Sequence, residues 1–411
     1  MIGMNMKLHI FDSPLMDKRG HNYEYAKSIC EEWRRIGYDA TVYAHQRVEP
    51  EIAASLPAVP LFSRGNFCPL PLDLKITKLN HLVNFPLKNF AFFRELQKVD
   101  PNRFSRDDLL LFPSIDYNQL FATLLWYQRL PERRKPLLVL LFRYSNVECR
   151  PERHMTRHAL LYRLSFRFFA KMLAGSGIVL TTDSDMLAEE YEEISGQRIT
   201  VMPIPHMPVH AGPENERGQN EVVFVNLGDA REEKGYHLLP DAIESVLRQR
   251  KDVRFVIQTI LSEHTTDVVL QAKGRLAAYP DRVTIIDRKL NTDEYYDALF
   301  EADAVLVPYN PSAYFGRSSG IFSEAVACGK PVITTAGTWM ERQLRQYENC
   351  GVTFDSFDGE GLANGIINYL AQKREIDANA ERARQKWNEF HNARKYVAML
   401  LEMKAKRTDQ G

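Results

Sequence analysis

Five cysteines in 411 residues (Cys30, Cys68, Cys149, Cys328 and Cys350) stand far apart, and no Cys-x-x-Cys pair occurs. Neither a disulfide framework nor a zinc knuckle is indicated, so a reducing compartment, the cytoplasm, is expected. No uninterrupted apolar run reaches eighteen residues, which argues against a transmembrane helix. The amino terminus lacks the charged-then-apolar pattern of a secretory signal and flows into a strand. Net charge is missing too: 53 basic side chains balance 53 acidic ones. That balance argues against simple nucleic-acid binding.

The zero hides an asymmetry. Residues 1–210 carry 27 basic and 23 acidic side chains, and residues 211–411 carry 26 and 30. Between Arg64 and Lys171 the excess rises to 19 basic against 9 acidic. Its sharpest part interleaves Arg153, Arg157, Arg163, Arg167 and Lys171 with Leu160, Leu161, Leu164, Phe168 and Phe169. At 3.6 residues per turn this predicts a helix with Leu160, Leu164 and Phe168 on one face and Arg163, Arg167 and Lys171 on another. Two readings stand: a half-buried helix with a solvated basic side, or a surface for an anionic membrane or acceptor.

What is present is strand–helix alternation, twice. An apolar content of 45% and a charged content of 26% describe a globular chain, and its length predicts two domains of roughly 200 residues each. Residues 7–11, 39–44, 109–113, 137–142 and 177–181 read as short apolar strands, with an amphipathic helix over 23–36. Prolines at 50, 57, 60, 69, 71 and 86 break the period of residues 50–108, where loops and short helices are expected. Residues 206–220, rich in proline and glycine, read as a linker. Strands at 221–227, 253–259, 283–286, 304–308 and 331–334 then alternate with helices at 236–249, 266–279, 293–301, 319–328 and 361–372. Continuous apolar strands separated by helices mean parallel sheets covered on both faces. The expected fold is α/β: two doubly wound Rossmann-like domains (1–205 and 221–385) facing across a cleft. A C-terminal helix, within 386–411, is expected to cross back to the first domain. Ligands in such sheets bind at the carboxyl ends of strands.

Two motifs sit at such ends. The first, Phe224-Val-Asn-Leu-Gly228-Asp-Ala-Arg231-Glu-Glu-Lys234-Gly235, follows the second domain's opening strand. Gly228 permits a tight turn. Arg231 and Lys234, three residues apart, can aim a guanidinium fork and an ammonium at one diphosphate. They also read as surface charges paired with Glu232 and Glu233. The second motif runs from Tyr314 through Arg317, Ser318, Ser319 and Gly320 to Glu324. A glycine-bearing turn opening a helix presents free N–H groups to an anion. Glu324 lies one turn further on, within reach of sugar hydroxyls. An ordinary strand–turn–helix fits this segment as well.

Together these motifs, Gly-x-x-Arg-x-x-Lys-Gly and Ser-Gly-x-x-x-Glu-Ala-x-Ala-x-Gly-Lys-Pro-Val-Ile, resemble the retaining GT-B glycosyltransferases of the GT4-like (glycosyltransferase group 1) family. The resemblance spans most of residues 175–390. It implies that Arg231 and Lys234 hold the diphosphate of a nucleotide-sugar donor and Glu324 binds the ribose. Gly228 and the loop Arg317, Ser318, Ser319 and Gly320 would complete the donor site. It implies a retaining transfer that needs neither cofactor nor bound metal, with a glycan, lipid-linked or protein acceptor, in cell-surface polysaccharide or glycoconjugate synthesis. A sugar-nucleotide epimerase and a non-catalytic scaffold subunit are the alternatives. Peripheral attachment to an anionic membrane through the basic N-terminal domain would fit the charge pattern.

The sequence also departs from that family. Gly316 stands eight positions before Glu324, where a second glutamate is usual, so the donor-sugar contact has no owner. Ile204-Pro205 replaces the usual Asn-Gly before the linker, and Leu141-Phe-Arg143-Tyr144 stands where a histidine is frequent. In the first domain Gly20, His21 and Arg143 are the cleft candidates; Arg143 suits either an acceptor phosphate or a pairing with Glu148. Asp183-Ser-Asp185 reads as a helix start rather than a metal motif. His206 and His210 lack acidic or cysteine partners for metal ligation, and His237 reads as structural.

Overall fold

The computed structural model describes residues 6–17, 21–65, 80–150, 152–205, 221–262 and 265–409. The expected linker at 206–220 and Gly20 lie outside them. The chain divides into two compact units, residues 1–207 with 391–411, and residues 208–390.

The first unit opens with β1 (Lys7–Phe11), α1 (His21–Arg35), β2 (Asp39–His45), α2 (Pro50–Ser55), β3 (Ala58–Phe62) and α3 (Asn80–Leu96). It continues through β4 (Leu109–Phe112), α4 (Tyr117–Gln128), β5 (Leu137–Phe142) and a hairpin of β6 (Val147–Arg150) and β7 (Glu152–Met155). Next come α5 (Arg157–Phe168), α6 (Ala170–Leu173), β8 (Ile178–Thr182), α7 (Asp185–Ser195) and β9 (Thr200–Val201). Its seven-stranded sheet has the order β3-β2-β1-β4-β5-β8-β9, and the pairings are parallel. Every residue of β4 and β5 is buried, which is why both read as unbroken apolar runs. Pro60 is tolerated because β3 is an edge strand, where a missing N–H leaves no ladder bond unmade.

The expectation of loops and short helices over 50–108 is corrected by α3, a 17-residue helix that carries Pro86 inside it. Packing outweighs the proline's cost. The Asn89 side chain donates to Phe85 O and Tyr117 O and accepts from Ala122 N, which ties α3 to α4.

The second unit contains β10 (Val222–Asn226), α8 (Leu239–Gln249), β11 (Val253–Gln258), α9 (Asp267–Leu276), β12 (Val283–Ile286) and α10 (Thr292–Glu301). After these come β13 (Ala304–Val307), α11 (Pro311–Tyr314), α12 (Gly320–Ala327), β14 (Val332–Thr335), α13 (Trp339–Gln346), β15 (Gly351–Phe354) and α14 (Gly359–Phe390). Six parallel strands run in the order β12-β11-β10-β13-β14-β15. Gln372, where the predicted helix stops, is a non-helical point inside the longer α14. The chain breaks again at His391 and Asn392; the Asn392 side chain accepts from Lys395 N and starts α15 (Ala393–Asp409). A single helix through Trp387 and Tyr396 is therefore replaced by two. Trp387 packs on Trp339, Phe322 and Tyr347 in the second unit. Tyr396 packs edge-on to Tyr25 of α1 in the first.

Candidate active site

The site begins where β10 runs out. Asn226 donates to Leu306 O at 2.9 Å, which locks the strand end to β13. Gly228 then takes φ +98°, and its N–H donates to Gln258 Oε1 at 2.7 Å. Asp229 and Ala230 run alongside Ile260, beyond the end of β11. The chain next closes into a 3-10 turn over Glu232–Lys234, ended by Gly235 at φ +69°. A Cβ on Gly235 would lie 1.9 Å from Pro308 O, so only glycine seats this turn against the end of β13. Asn310 N–H, donating to Glu233 O at 2.9 Å, completes the seat.

The second loop starts at the same strand end. Asn310 caps α11, and Ser319 caps α12 by accepting from Phe322 N at 3.3 Å. A Cβ on Gly228 would stand 2.8 Å from Ile321 Cδ1 and 3.3 Å from Lys234 Nζ. Both turns and the first turn of α12 therefore meet at one point. Around it the Lys234 ammonium lies 5.9 Å from the Tyr309 ring centre, and the Tyr309 and Tyr314 rings are 4.4 Å apart. The Arg317 guanidinium stands 4.8 Å from the Tyr314 ring. Both tyrosines are buried and support the cations from beneath.

The charges are strongly coupled. Arg231, half exposed, pairs with Asp229 and, at 3.4 Å, with Glu233; Arg317 lies 3.6 Å from Glu233. Burial lowers the Lys234 ammonium to about 8, Arg231 and Arg317 push the same way, and Asp229 and Glu233 oppose them. Glu324 accepts a hydrogen bond from the Tyr295 hydroxyl of α10. Burial first, and Glu324 second, raise that phenol well above its ordinary range.

Gly228, Arg231, Lys234, Arg317, Ser319 and Gly320 thus sit on two turns that converge, with Ser318 between Arg317 and the cap and Glu324 one turn into α12. Arg143 and His21 belong to the other unit. Arg143 Nε donates to Asp183 Oδ2 at 3.0 Å, and its guanidinium lies 4.8 Å from the Tyr25 ring. Its carboxylate partner is thus Asp183, which the sequence reading had tied to a helix start. Ser184 makes that start, accepting from Leu187 N to cap α7. His21 is the first residue of α1, with its side chain outside the described residues, as are His206 and His210. His237 packs edge-on to Phe357, a structural placement.

Tyr295, Tyr309 and Gln258 were missed by sequence reasoning, and Asp229 and Tyr314, though inside the two motifs, were given no role. Gln258 ends β11 and Tyr309 follows β13, so the rule that ligands gather at strand carboxyl ends was a usable signal for both. Nothing in the sequence pairs Tyr295 with Glu324, 29 residues apart.

Two parallel-sheet Rossmann-like units with this arrangement define the GT-B class. Residues 212–387 match the family described as Glycosyl transferases group 1. Solved structures agree in fold. Sucrose-phosphate synthase from Thermosynechococcus elongatus is 15% identical with TM-score 0.67, covering 99% of this chain and 100% of its own. Anabaena HepE in complex with UDP and glucose is 14% identical with TM-score 0.64, covering 97% and 100%. The catalytic domain of starch synthase IV from Arabidopsis thaliana, bound to ADP and acarbose, is 11% identical with TM-score 0.63, covering 98% and 99%. No curated protein matches the chain in sequence.

Proposed function

We propose that this protein transfers a sugar from a nucleotide-diphosphate donor, with retention, to a glycan, lipid-linked or protein acceptor in cell-surface polysaccharide or glycoconjugate synthesis. One observation carries the reading: at the end of β10 a side chain on Gly228 would run into both Lys234 Nζ and Ile321 in the first turn of α12. A diphosphate placed there meets an ammonium, two guanidinium groups and the N–H groups that open a helix.

Charge builds on the departing diphosphate as the anomeric bond breaks. Fixed cations then stabilise the transition state more than the ground state. In this reading the diphosphate displaces Asp229 and Glu233 from Arg231 and Arg317, and its charge restores the Lys234 proton. The departing phosphate oxygen takes the acceptor's proton, so no separate base is required, and the fixed cations do the work of a bound metal on the leaving group. Glu324, oriented by Tyr295, takes the ribose. Uridine, as in the nucleotide bound to HepE, is the first donor base to test. Cytoplasmic action beside an anionic membrane, through the basic N-terminal unit, belongs to the same reading.

A thermal-shift screen of uridine, guanosine and adenosine diphosphates and their sugars selects the donor. Nucleoside diphosphate released only when acceptor is present supports transfer. Interconversion of the donor without acceptor means epimerisation, and binding without turnover means a scaffold. Either result overturns the proposal.

A further inference from the structure

The helix α5 does not bury the apolar face that its sequence predicts. Its buried side is Ala159, Tyr162, Ser165 and Phe166. The expected apolar face is out in solvent: Leu160 is 61% exposed, Leu164 53% and Phe168 66%. Arg157, Arg167 and, in α6, Lys171 are exposed beside them. At positions 157, 160, 164, 167 and 168 five of these side chains follow the helical repeat and form one stripe, with Lys171 just beyond the break at Phe169. The apolar ridge extends across α4: the Phe121 ring lies 5.2 Å from Phe168 and 6.4 Å from Phe85 of α3. On α3, Leu87 and Phe90 are exposed as well, at 39% and 61%. These are large apolar side chains left unburied on neighbouring helices, a pattern that marks an interaction surface.

We propose that this α3–α5 face seats the protein on the surface of an anionic lipid bilayer. The inference deepens the membrane part of the proposed function and rests on it. Charge decides the occupant. No acidic residue occurs between Glu152 and Asp183, α4 has none, and the one acid in α3 is Glu95. Glu95 is buried and receives hydrogen bonds from Ser63. A second copy meeting this face across a two-fold axis would bring Arg157, Arg167 and Lys171 against themselves, and Glu193 of α7, the carboxylate beside α5, is already paired with Arg163 at 3.5 Å. A bilayer accepts the leucines and phenylalanines among its acyl chains and the cations among its anionic headgroups. None of the described helices is long and apolar enough to cross a membrane, so the contact lies in the plane of the interface.

The test is co-sedimentation of the full chain with vesicles of phosphatidylcholine, with and without phosphatidylglycerol. Binding is expected to require phosphatidylglycerol and to weaken as salt rises. Leu160→Ser, Leu164→Ser and Phe168→Ser together should weaken it at least ~100-fold. Arg157→Gln with Arg167→Gln should weaken it roughly 30-fold and flatten the salt dependence. All five positions are exposed, so both variants should fold. Three results overturn the proposal: no binding to either vesicle, undiminished binding by the triple variant, or a dimer that the triple variant dissociates. Calorimetry with uridine, guanosine and adenosine diphosphates separates this from the donor reading. That reading fails when none of the three binds, whatever the vesicles show, and the triple variant should bind as the parent does.

Discussion

At the carboxyl ends of its strands the first unit places Asp12, Asp116 and Asp183, all buried, together with an Arg143 that is 15% exposed. At the same pole the second unit places Gly228 with Arg231, Lys234 and Arg317, where the Arg231 side chain is 47% exposed and that of Arg317 33%. Both sheets are parallel and wound the same way. In the first, the pole is filled from within, because Asp183 holds Arg143 and Tyr25 and Tyr396 stand close by. In the second, Gly235 seats its turn against Pro308 O, Gly228 leaves room beside Ile321 and Lys234 Nζ, and the arginines keep a large part of their surface exposed. A doubly wound sheet thus provides a pole, and the side chains at that pole decide whether a ligand can occupy it.

The largest expected effect breaks the open pole. Lys234→Ala should cost about 2–4 kcal/mol of transition-state stabilisation, by analogy with lost oxyanion donors. Wild-type turnover in that variant removes Lys234 from the diphosphate. Its pH dependence sharpens the test. With the ammonium lowered to about 8, the free site loses the Lys234 charge as pH rises through that value. The terminal phosphate is already ionised above roughly pH 7. Affinity for the nucleoside diphosphate should therefore fall from pH 8 upward, with proton uptake on binding. A flat affinity across that window sinks the assignment.

The filled pole gives the next effect. Burial raises Asp12 to about 7, opposed by Arg143, and its Oδ1 has no hydrogen-bond partner among the described residues. In the unfolded chain the same carboxyl loses its proton near its ordinary value of 3.8. Between these values the folded state holds a proton that the unfolded state has released, so stability falls as pH rises and levels off above about 7. Asp12→Asn should remove its share of that slope, leaving the share of Asp116, which burial also raises to about 7, and should stabilise the protein at pH 8 by about 1–3 kcal/mol, measured by denaturant unfolding. A less stable variant at pH 8 would mean that the ionised carboxylate earns its place beside Arg143.

How much of this contrast could be read in advance follows from burial. β5 and β12 stand where expected because their residues are paired on both sides or bounded by sharp turns. The strand Gly351–Phe354 and the helix Trp339–Gln346 were missed. The first is an edge strand with a half-buried alternating pattern, and the second spans only two turns. Both glycine-bearing turns were legible, because glycine at a strand end carries its own reason. Their aromatic support was not, since tyrosine inside a helix reads as ordinary core. The face of α5 was misread for a related reason: periodicity tells which residues share a face, not which face the neighbours cover.

The smallest effect tests how the open pole orders its ligand. The Tyr295 hydroxyl donates to Glu324 and fixes one carboxylate oxygen. Tyr295→Phe removes that restraint without changing charge. A preorganised acceptor loses about 1 kcal/mol when its partner hydrogen bond goes. Glu324→Ala removes the acceptor itself and should cost more, about 2 kcal/mol, because a ribose hydroxyl then enters the site unpaired. Calorimetry of both variants with the nucleoside diphosphate separates the roles. Weakening in Glu324→Ala alone makes Tyr295 a packing residue. Graded weakening makes it the residue that positions Glu324, and unchanged affinity in both takes Glu324 off the ribose.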